Sequence, residues 1–232
     1  MKKLIVLSGA IALFFSACTS TGSSSMKTEE DTLAYCLGTD MGTYIYNVDS
    51  MLGEQLNVDL LITGIKNAIK KDTSIMTTKD AYDFMRRYYS VIKPRKDSIA
   101  SAEFLAKVEK ENKNVQKTES GLLYEVIEAG DSNIKADTSS KVRVLYRMAD
   151  RNGNDIQNTY DSNDTLDIPI KNVIKGFAEG MTLVGKGGKI KLWIPSELGY
   201  GSRQQGPIPA NSALYYEVDV IDVVPAEEPA KK

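Results

Sequence analysis

Gly187-Gly-Lys-Ile-Lys-Leu-Trp-Ile-Pro195 is the stretch on which the fold class turns. Its glycines permit a turn, and the run from Lys189 to Ile194 then alternates polar with apolar residues, as a strand with one buried face does. Trp193 falls on the polar side, between Leu192 and Ile194, so it is either exposed or covered by another element. Three further runs have the same β-branched and aromatic texture: Leu123-Tyr-Glu-Val-Ile-Glu128, Val142-Arg-Val-Leu-Tyr-Arg-Met148 and Leu214-Tyr-Tyr-Glu-Val-Asp-Val-Ile-Asp-Val223. Among them lies one short helix candidate, Val173 to Glu179, with Asn172 before it. About five strands wrapped on one short helix make an α+β domain of roughly 105 residues, large enough for its own core.

Upstream the texture is helical, from Asp31 to about residue 115. In Asn57-Val-Asp-Leu-Leu-Ile-Thr-Gly-Ile-Lys-Asn-Ala-Ile69 apolar residues recur at Leu61, Ile65, Ala68 and Ile69, with Asn57 as the N-cap. Thr77-Thr-Lys-Asp80 has the form of a capping box, and the helix it opens has Tyr82, Met85, Tyr89 and Ile92 as its apolar face. Pro94 is expected to end or kink that helix; a further run from about Asp97 to Asn112 is rich in Ala, Glu and Lys. The aromatic stripes need a partner surface. The core is the ordinary partner and a dimer seam the less common one.

The first residues read as a targeting segment. Lys2 and Lys3 precede the apolar run Leu4–Phe15, which is too short to span a bilayer comfortably and fits the core of a signal peptide. Phe15-Ser-Ala-Cys18 then resembles a bacterial lipobox, which would make Cys18 the lipidated first residue of the mature chain and anchor it without a spanning helix. Thr19 to Lys27 is rich in Ser, Thr and Gly and reads as a tether. Cys36 is then the sole remaining cysteine, in the apolar stretch Leu33-Ala-Tyr-Cys-Leu-Gly38. It reads as a small buried helix residue, the alternative being a disulfide across a dimer.

Composition narrows the chemistry. Lys plus Arg number 29 and Asp plus Glu 31, a net charge of -2 with no electrostatic footprint for nucleic acid. There is no histidine, which removes Ser-His and Cys-His nucleophiles and His-ligated metal sites together. Gly180-Met-Thr-Leu-Val-Gly-Lys186 nearly spells a phosphate loop, but Gly187 follows where Ser or Thr is needed, and the segment leads into a strand. Asp150-Arg-Asn-Gly-Asn-Asp155 faintly suggests a calcium loop, yet Asp155 stands where glycine is required; a hairpin turn through Asn152-Gly153 accounts for the same residues.

From residue 120 onward the chain resembles the FKBP family of prolyl isomerases. The resemblance is carried by Val144-Leu-Tyr146, Val173-Ile-Lys-Gly-Phe177 with Glu179-Gly-Met181, the Gly187–Pro195 stretch, Leu198-Gly-Tyr-Gly201, Ile208-Pro-Ala-Asn-Ser-Ala-Leu214 and Tyr216-Glu-Val-Asp-Val220, in family order. The helical half is similar to the N-terminal dimerisation domain of the macrophage-infectivity-potentiator branch, through Tyr35-Cys-Leu-Gly38, the Leu60–Ile69 helix, Ala102-Glu-Phe-Leu105 and Ser120-Gly-Leu-Leu-Tyr124.

The resemblance implies a twisted antiparallel sheet wrapped on one short helix, preceded by an all-helical domain. It implies isomerisation of X-Pro bonds in polypeptide clients, with no metal or cofactor. The catalytic positions carried over are Tyr146, Ile174, Phe177, Tyr200 and Tyr216; those binding substrate are Ile156, Gln157, Leu166, Val173 and Ile208. Where the family has Phe-Asp-Ser-Ser this chain has Ile156-Gln-Asn-Thr159, so the usual acid is a neutral Gln157; Phe177 replaces the usual Trp. The implied layout is a lipoprotein signal peptide (1–18), a tether (19–30), a helical dimerisation domain (31–117), an isomerase domain (118–226) and a tail (227–232). The lipobox, with Thr19 after Cys18 giving no inner-membrane retention signal, sets the expected place in the bacterial cell envelope, lipid-anchored at the outer membrane and facing the periplasm; the resemblance adds a homodimer acting on exported proteins. A binding or chaperone module with little turnover, on a degenerate FKBP scaffold, is the alternative.

Overall fold

In a computed structural model of the chain, residues 26–52 and 55–224 are described. Cys18, the signal segment, residues 19–25 of the tether and the 227–232 tail lie outside them. The chain divides between Gln55 and Leu56 into two units. The first holds helix α1 (Glu29–Leu52), which begins two residues before the expected Asp31. Its start is a reciprocal cap: the Asp31 N–H donates to Thr28 Oγ1 at 3.1 Å and the Thr28 N–H to Asp31 Oδ2 at 3.2 Å. Leu33, Leu37, Met41 and Tyr44 share one helix face and are exposed. Cys36, expected to be buried, is exposed as well among the described residues.

The second unit opens with α2 (Val58–Lys70), whose Asn57 cap accepts from the Leu60 N–H at 3.0 Å. Helix α3 (Thr78–Arg87) is capped by Thr77, which accepts from the Asp80 N–H at 3.1 Å. Pro94 does not stop the helical run that follows. A single π turn, Tyr88–Ile92, widens the backbone, and the Lys93 N–H donates to Tyr88 O. Pro94 then falls at the second residue of α4 (Lys93–Glu111), directly after the widened turn, where the backbone pairing has already shifted to make room for its missing N–H.

Among the described residues seven strands form one antiparallel sheet. They are β1 (Gln116–Lys117), β2 (Leu123–Glu128), β4 (Lys141–Ala149), β5 (Asp155–Asn158), β6 (Leu166–Pro169), β8 (Lys189–Ile194) and β9 (Leu214–Val224). Their order is β1-β2-β8-β9-β4-β5, with β6 also paired to β4, while β3 (Asp131–Lys135) and β7 (Gly185–Lys186) pair with each other. The four runs legible in sequence are the contiguous centre, β2-β8-β9-β4. The Asn152-Gly153 hairpin turn forms, with the Gly153 N–H donating to Asp150 O at 3.1 Å. The Asp150 carboxylate is taken up by the same turn, accepting from the Asn152 and Asn154 N–H groups at 2.8 and 2.9 Å.

One sheet face carries the core: Val142, Val144 and Tyr146 of β4, Ile190, Leu192 and Ile194 of β8, and Tyr216, Val218 and Val220 of β9. Across it lies α5 (Lys175–Leu183), which starts two residues later than the expected Val173. Val173 and Ile174 are extended instead, after a 3₁₀ turn at Ile170–Asn172, and suit that conformation as β-branched residues. Helix and sheet approach closely because Gly176 and Gly180 face β8; a Cβ on Gly180 would stand 2.5 Å from Leu192 Cδ1.

Helix α4 docks on the same domain. Its buried residues Lys93, Asp97 and Ser101 form a polar row on one face. Asp97 accepts from Lys93 Nζ at 2.5 and 2.7 Å and from Arg151 Nη2 at 2.8 Å. Trp193 is covered: it is 8% exposed, its ring lies 5.5 Å from that of Tyr215, and both border a cavity that Phe104 of α4 also lines. No helix among the described residues is long and apolar enough to cross a membrane.

Candidate active site

Strand parity sends Tyr146 of β4 and Tyr216 of β9 to the same face, on adjacent strands paired as Tyr146 with Val218 and Met148 with Tyr216. Phe177, in the first turn of α5, meets both. Ring centroids are 6.2 Å apart for Tyr146–Phe177, 5.3 Å for Phe177–Tyr216 and 6.0 Å for Tyr146–Tyr216. The two pairs that include Phe177 are edge-on, an arrangement in which ring edges meet ring faces favourably. Beside this triad opens a pocket of about 340 Å³ lined by Tyr146, Met148, Gln157, Ile168, Asn172, Val173, Ile174, Phe177, Tyr200 and Tyr216.

The frame is fixed from below. The Thr159 N–H donates to Tyr146 O at 2.9 Å, and the Tyr146 N–H donates to Thr159 Oγ1 at 2.9 Å, pinning the β4 backbone at the pocket. Tyr200 follows the 3₁₀ turn Ser196–Leu198, closed by the Gly201 N–H donating to Ser196 O at 2.8 Å. Ile174 is the N-cap of α5 and offers no capping side chain, so the first N–H groups of the helix keep their donor capacity.

None of the lining residues is a carboxylate or a cation. Burial pushes the Tyr146 hydroxyl pKa up; neighbouring Tyr200 adds to this, and a hydrogen bond with Gln157 pulls the other way. Burial likewise pushes Tyr216 up, helped by Tyr200 and Tyr146. Both hydroxyls are therefore neutral donors at ordinary pH. Such a site can offer apolar surface and neutral hydrogen bonds to a substrate. Its lining has no carboxylate, amine or imidazole with which to move a proton.

Of the residues singled out from sequence, Tyr146, Gln157, Val173, Ile174, Phe177, Tyr200 and Tyr216 come together here. Ile156 and Leu166 instead pack, half-buried, against the core, and Ile208 is buried within it. Ile208 bridges Gln205 through backbone bonds of 3.0 and 2.9 Å, and so shapes the loop after Tyr200 from inside. Met148, Ile168 and Asn172 were not foreseen. Met148 lies two residues beyond Tyr146 on β4 and Ile168 two beyond Leu166 on β6, so strand periodicity was the signal available.

Fold and pocket together define a prolyl-isomerase domain of FKBP type joined to amino-terminal helices. Residues 132–221 match the family described as FKBP-type peptidyl-prolyl cis-trans isomerase, and residues 30–126 match the domain amino terminal to it. The FKBP-type isomerase FkpA of Escherichia coli K12 is 34% identical over 215 residues, 88% of this chain and 79% of the relative. FkpA of Buchnera aphidicola from Acyrthosiphon pisum is 31% identical over 204 residues, 83% and 84% of the two chains. Among solved structures, FkpA from Escherichia coli superposes with a TM-score of 0.60 at 32% identity, covering 88% of this chain and all of that one. A peptidyl-prolyl cis-trans isomerase from Pseudomonas syringae pv. tomato superposes at 0.51 with 25% identity, over 56% of this chain and 95% of its own. The chain belongs to the FKBP-type peptidyl-prolyl cis-trans isomerase family and is an enzyme of that class.

Proposed function

We propose that this isomerase turns X-Pro bonds of exported polypeptides as a folding helper in the bacterial cell envelope, using the pocket around Tyr146, Phe177 and Tyr216. The observation that carries this reading is the uncharged, aromatic-walled pocket at the start of α5. Rotation about a prolyl bond breaks no covalent bond. The barrier is amide resonance, about 18–20 kcal/mol, and the enzyme needs only to favour the twisted amide over the planar one. An apolar pocket strips water from the substrate carbonyl and disfavours the charge-separated planar form. The proline ring rests against Phe177, the Ile174 N–H and Tyr200 hydroxyl donate to substrate carbonyls, and Tyr146, Gln157, Val173 and Tyr216 wall the pocket; Ile156, Leu166 and Ile208 support it from behind. Lowering the barrier by about 4 kcal/mol gives roughly a thousandfold acceleration.

The proposal extends to the rest of the chain. Residues 31–117 form a helical dimerisation domain ahead of the 118–226 isomerase domain, supported by the exposed apolar face of α1. Cys18 carries a lipid that anchors the protein at the outer membrane, facing the periplasm, supported by the Leu4–Phe15 run and the small residues before Cys18. A second reading, binding or chaperoning with little turnover, is favoured by one feature: neutral Gln157 in the pocket.

Isomerisation of a short X-Pro peptide, measured beside Tyr200→Ala and Phe177→Ala, tests the first reading. Acceleration that falls in both variants supports it. A folded protein that does not accelerate the reaction overturns it in favour of the second.

A further inference from the structure

We propose that Ser101 and Asn211 are positioning residues of the isomerase pocket, through which helix α4 holds Tyr200 in place. The inference rests on the reading of Tyr200 as a donor to substrate. Residues 202–207 of the loop after Tyr200 are exposed, and the loop is held by the Gln205–Ile208 bridge within it and by how its ends are tied. Those ends meet at Asn211, whose N–H donates to Gly201 O at 2.7 Å, next to Tyr200. Asn211 makes this bond from a left-handed backbone, φ 59°, which asparagine tolerates better than most residues.

The same residue is bound twice more, both times to α4. Its carbonyl accepts from Ser101 Oγ at 2.8 Å, and its Nδ2 donates to Pro94 O at 3.1 Å. Ser101 Oγ in turn accepts from the Ala213 N–H at 2.9 Å. Ser101 is 5% exposed, so neither bond is readily replaced by water. The hydroxyl thus donates to one backbone group of the loop and accepts from another two residues on. Pro94 and Ser101 lie about two helical turns apart, so the loop is held at two points along one rigid element. A chain of three hydrogen bonds runs from α4 through Asn211 to Gly201 and into the turn at Ser196 that carries Tyr200. Helix α4 is therefore part of the frame that holds Tyr200.

The test is kcat/KM on an X-Pro peptide for the full chain and for Ser101→Ala, Ser101→Thr, Tyr200→Phe and the Ser101→Ala/Tyr200→Phe double variant. Ser101→Ala is expected to lower kcat/KM about tenfold, the scale on which small misplacements of a positioned group are felt. Ser101→Thr, which keeps the hydroxyl, restores it. In the Tyr200→Phe background Ser101→Ala costs less than twofold, because the group it positions is already gone. Asn211→Gly keeps the left-handed backbone and the N–H to Gly201 but drops the bond to Pro94; it loses activity in the same Tyr200-dependent way and stands in if Ser101→Ala fails to fold. A Ser101→Ala enzyme within twofold of wild type, or an equal loss with and without the Tyr200 hydroxyl, overturns the positioning role. Tyr200→Phe with unaltered activity instead overturns the reading of Tyr200 itself.

Discussion

Removing the Asp97 carboxylate is the sharpest test of how α4 is held. Its side chain is 2% exposed and joins those of Lys93, 10% exposed, and Arg151, 20% exposed. Asp97→Ala leaves the Lys93 ammonium in a dry site with no anion, the situation in which breaking a buried pair costs about 3–5 kcal/mol. Arg151 has more access to water and can relax outward, which puts the expected loss near the lower end, about 3 kcal/mol. At a urea dependence of about 2 kcal/mol per molar, the midpoint falls by about 1.5 M. Removing the two most buried charges in Lys93→Met/Asp97→Leu leaves only Arg151, which can relax toward water, and costs about 1 kcal/mol or less. Trp193, the chain's one tryptophan, borders the cavity that Phe104 of α4 also lines, so its fluorescence follows undocking directly. A midpoint shift below about 0.3 M for Asp97→Ala, or a double variant as damaged as the single, would refute the reasoning.

Three further outcomes follow from the same geometry. Gln157→Asp returns a charge to the pocket beside Tyr146 and is expected to tighten binding of a macrolide FKBP ligand about tenfold, by titration calorimetry; unchanged affinity counts against that role. Asp137 is held down to about 2 by hydrogen bonds from Ser139 and Ser140. A depressed folded pKa means its contribution is present above the unfolded value of 3.8 and lost as pH falls through about 2. Asp137→Asn should therefore lower the urea midpoint at neutral pH and flatten its acid decline. A Cβ at Gly185 would overlap the Asp131 carbonyl oxygen across the β3–β7 pair, so Gly185→Ala is expected to cost at least about 2 kcal/mol in a thermal melt.

Legibility followed burial on one side. The central strands β4 and β9 announce themselves because each alternates a dry face with a wetter one, while β2 and β8 show through their β-branched and aromatic residues. The short β1 and β7 are defined by what they pair with, and no period can show in so few residues. The polar row Lys93, Asp97 and Ser101 was invisible for the opposite reason. At helical spacing, charged and hydroxyl residues read as a solvent face, and only the positions of Arg151 and Asn211 far along the chain make that face dry. Pro94 misled similarly, since a π turn just before it lets the helical run continue. The pocket's aromatic walls were read through the family resemblance. Ile208 was assigned to the pocket surface but is buried in the core, because its backbone bridge to Gln205 turns the loop over it.

A pocket walled by tyrosine rings, two side-chain amides, a thioether and hydrocarbon, in a chain without histidine, offers a proton no carboxylate, imidazole or amine. Burial keeps the Tyr146 and Tyr216 hydroxyls neutral as the surroundings turn mildly alkaline, so on the reading proposed above the site works by shape and dryness. In the envelope location proposed above, a fall in pH would reach the exposed carboxylates of the enzyme, Asp137 among them, before it reached this pocket.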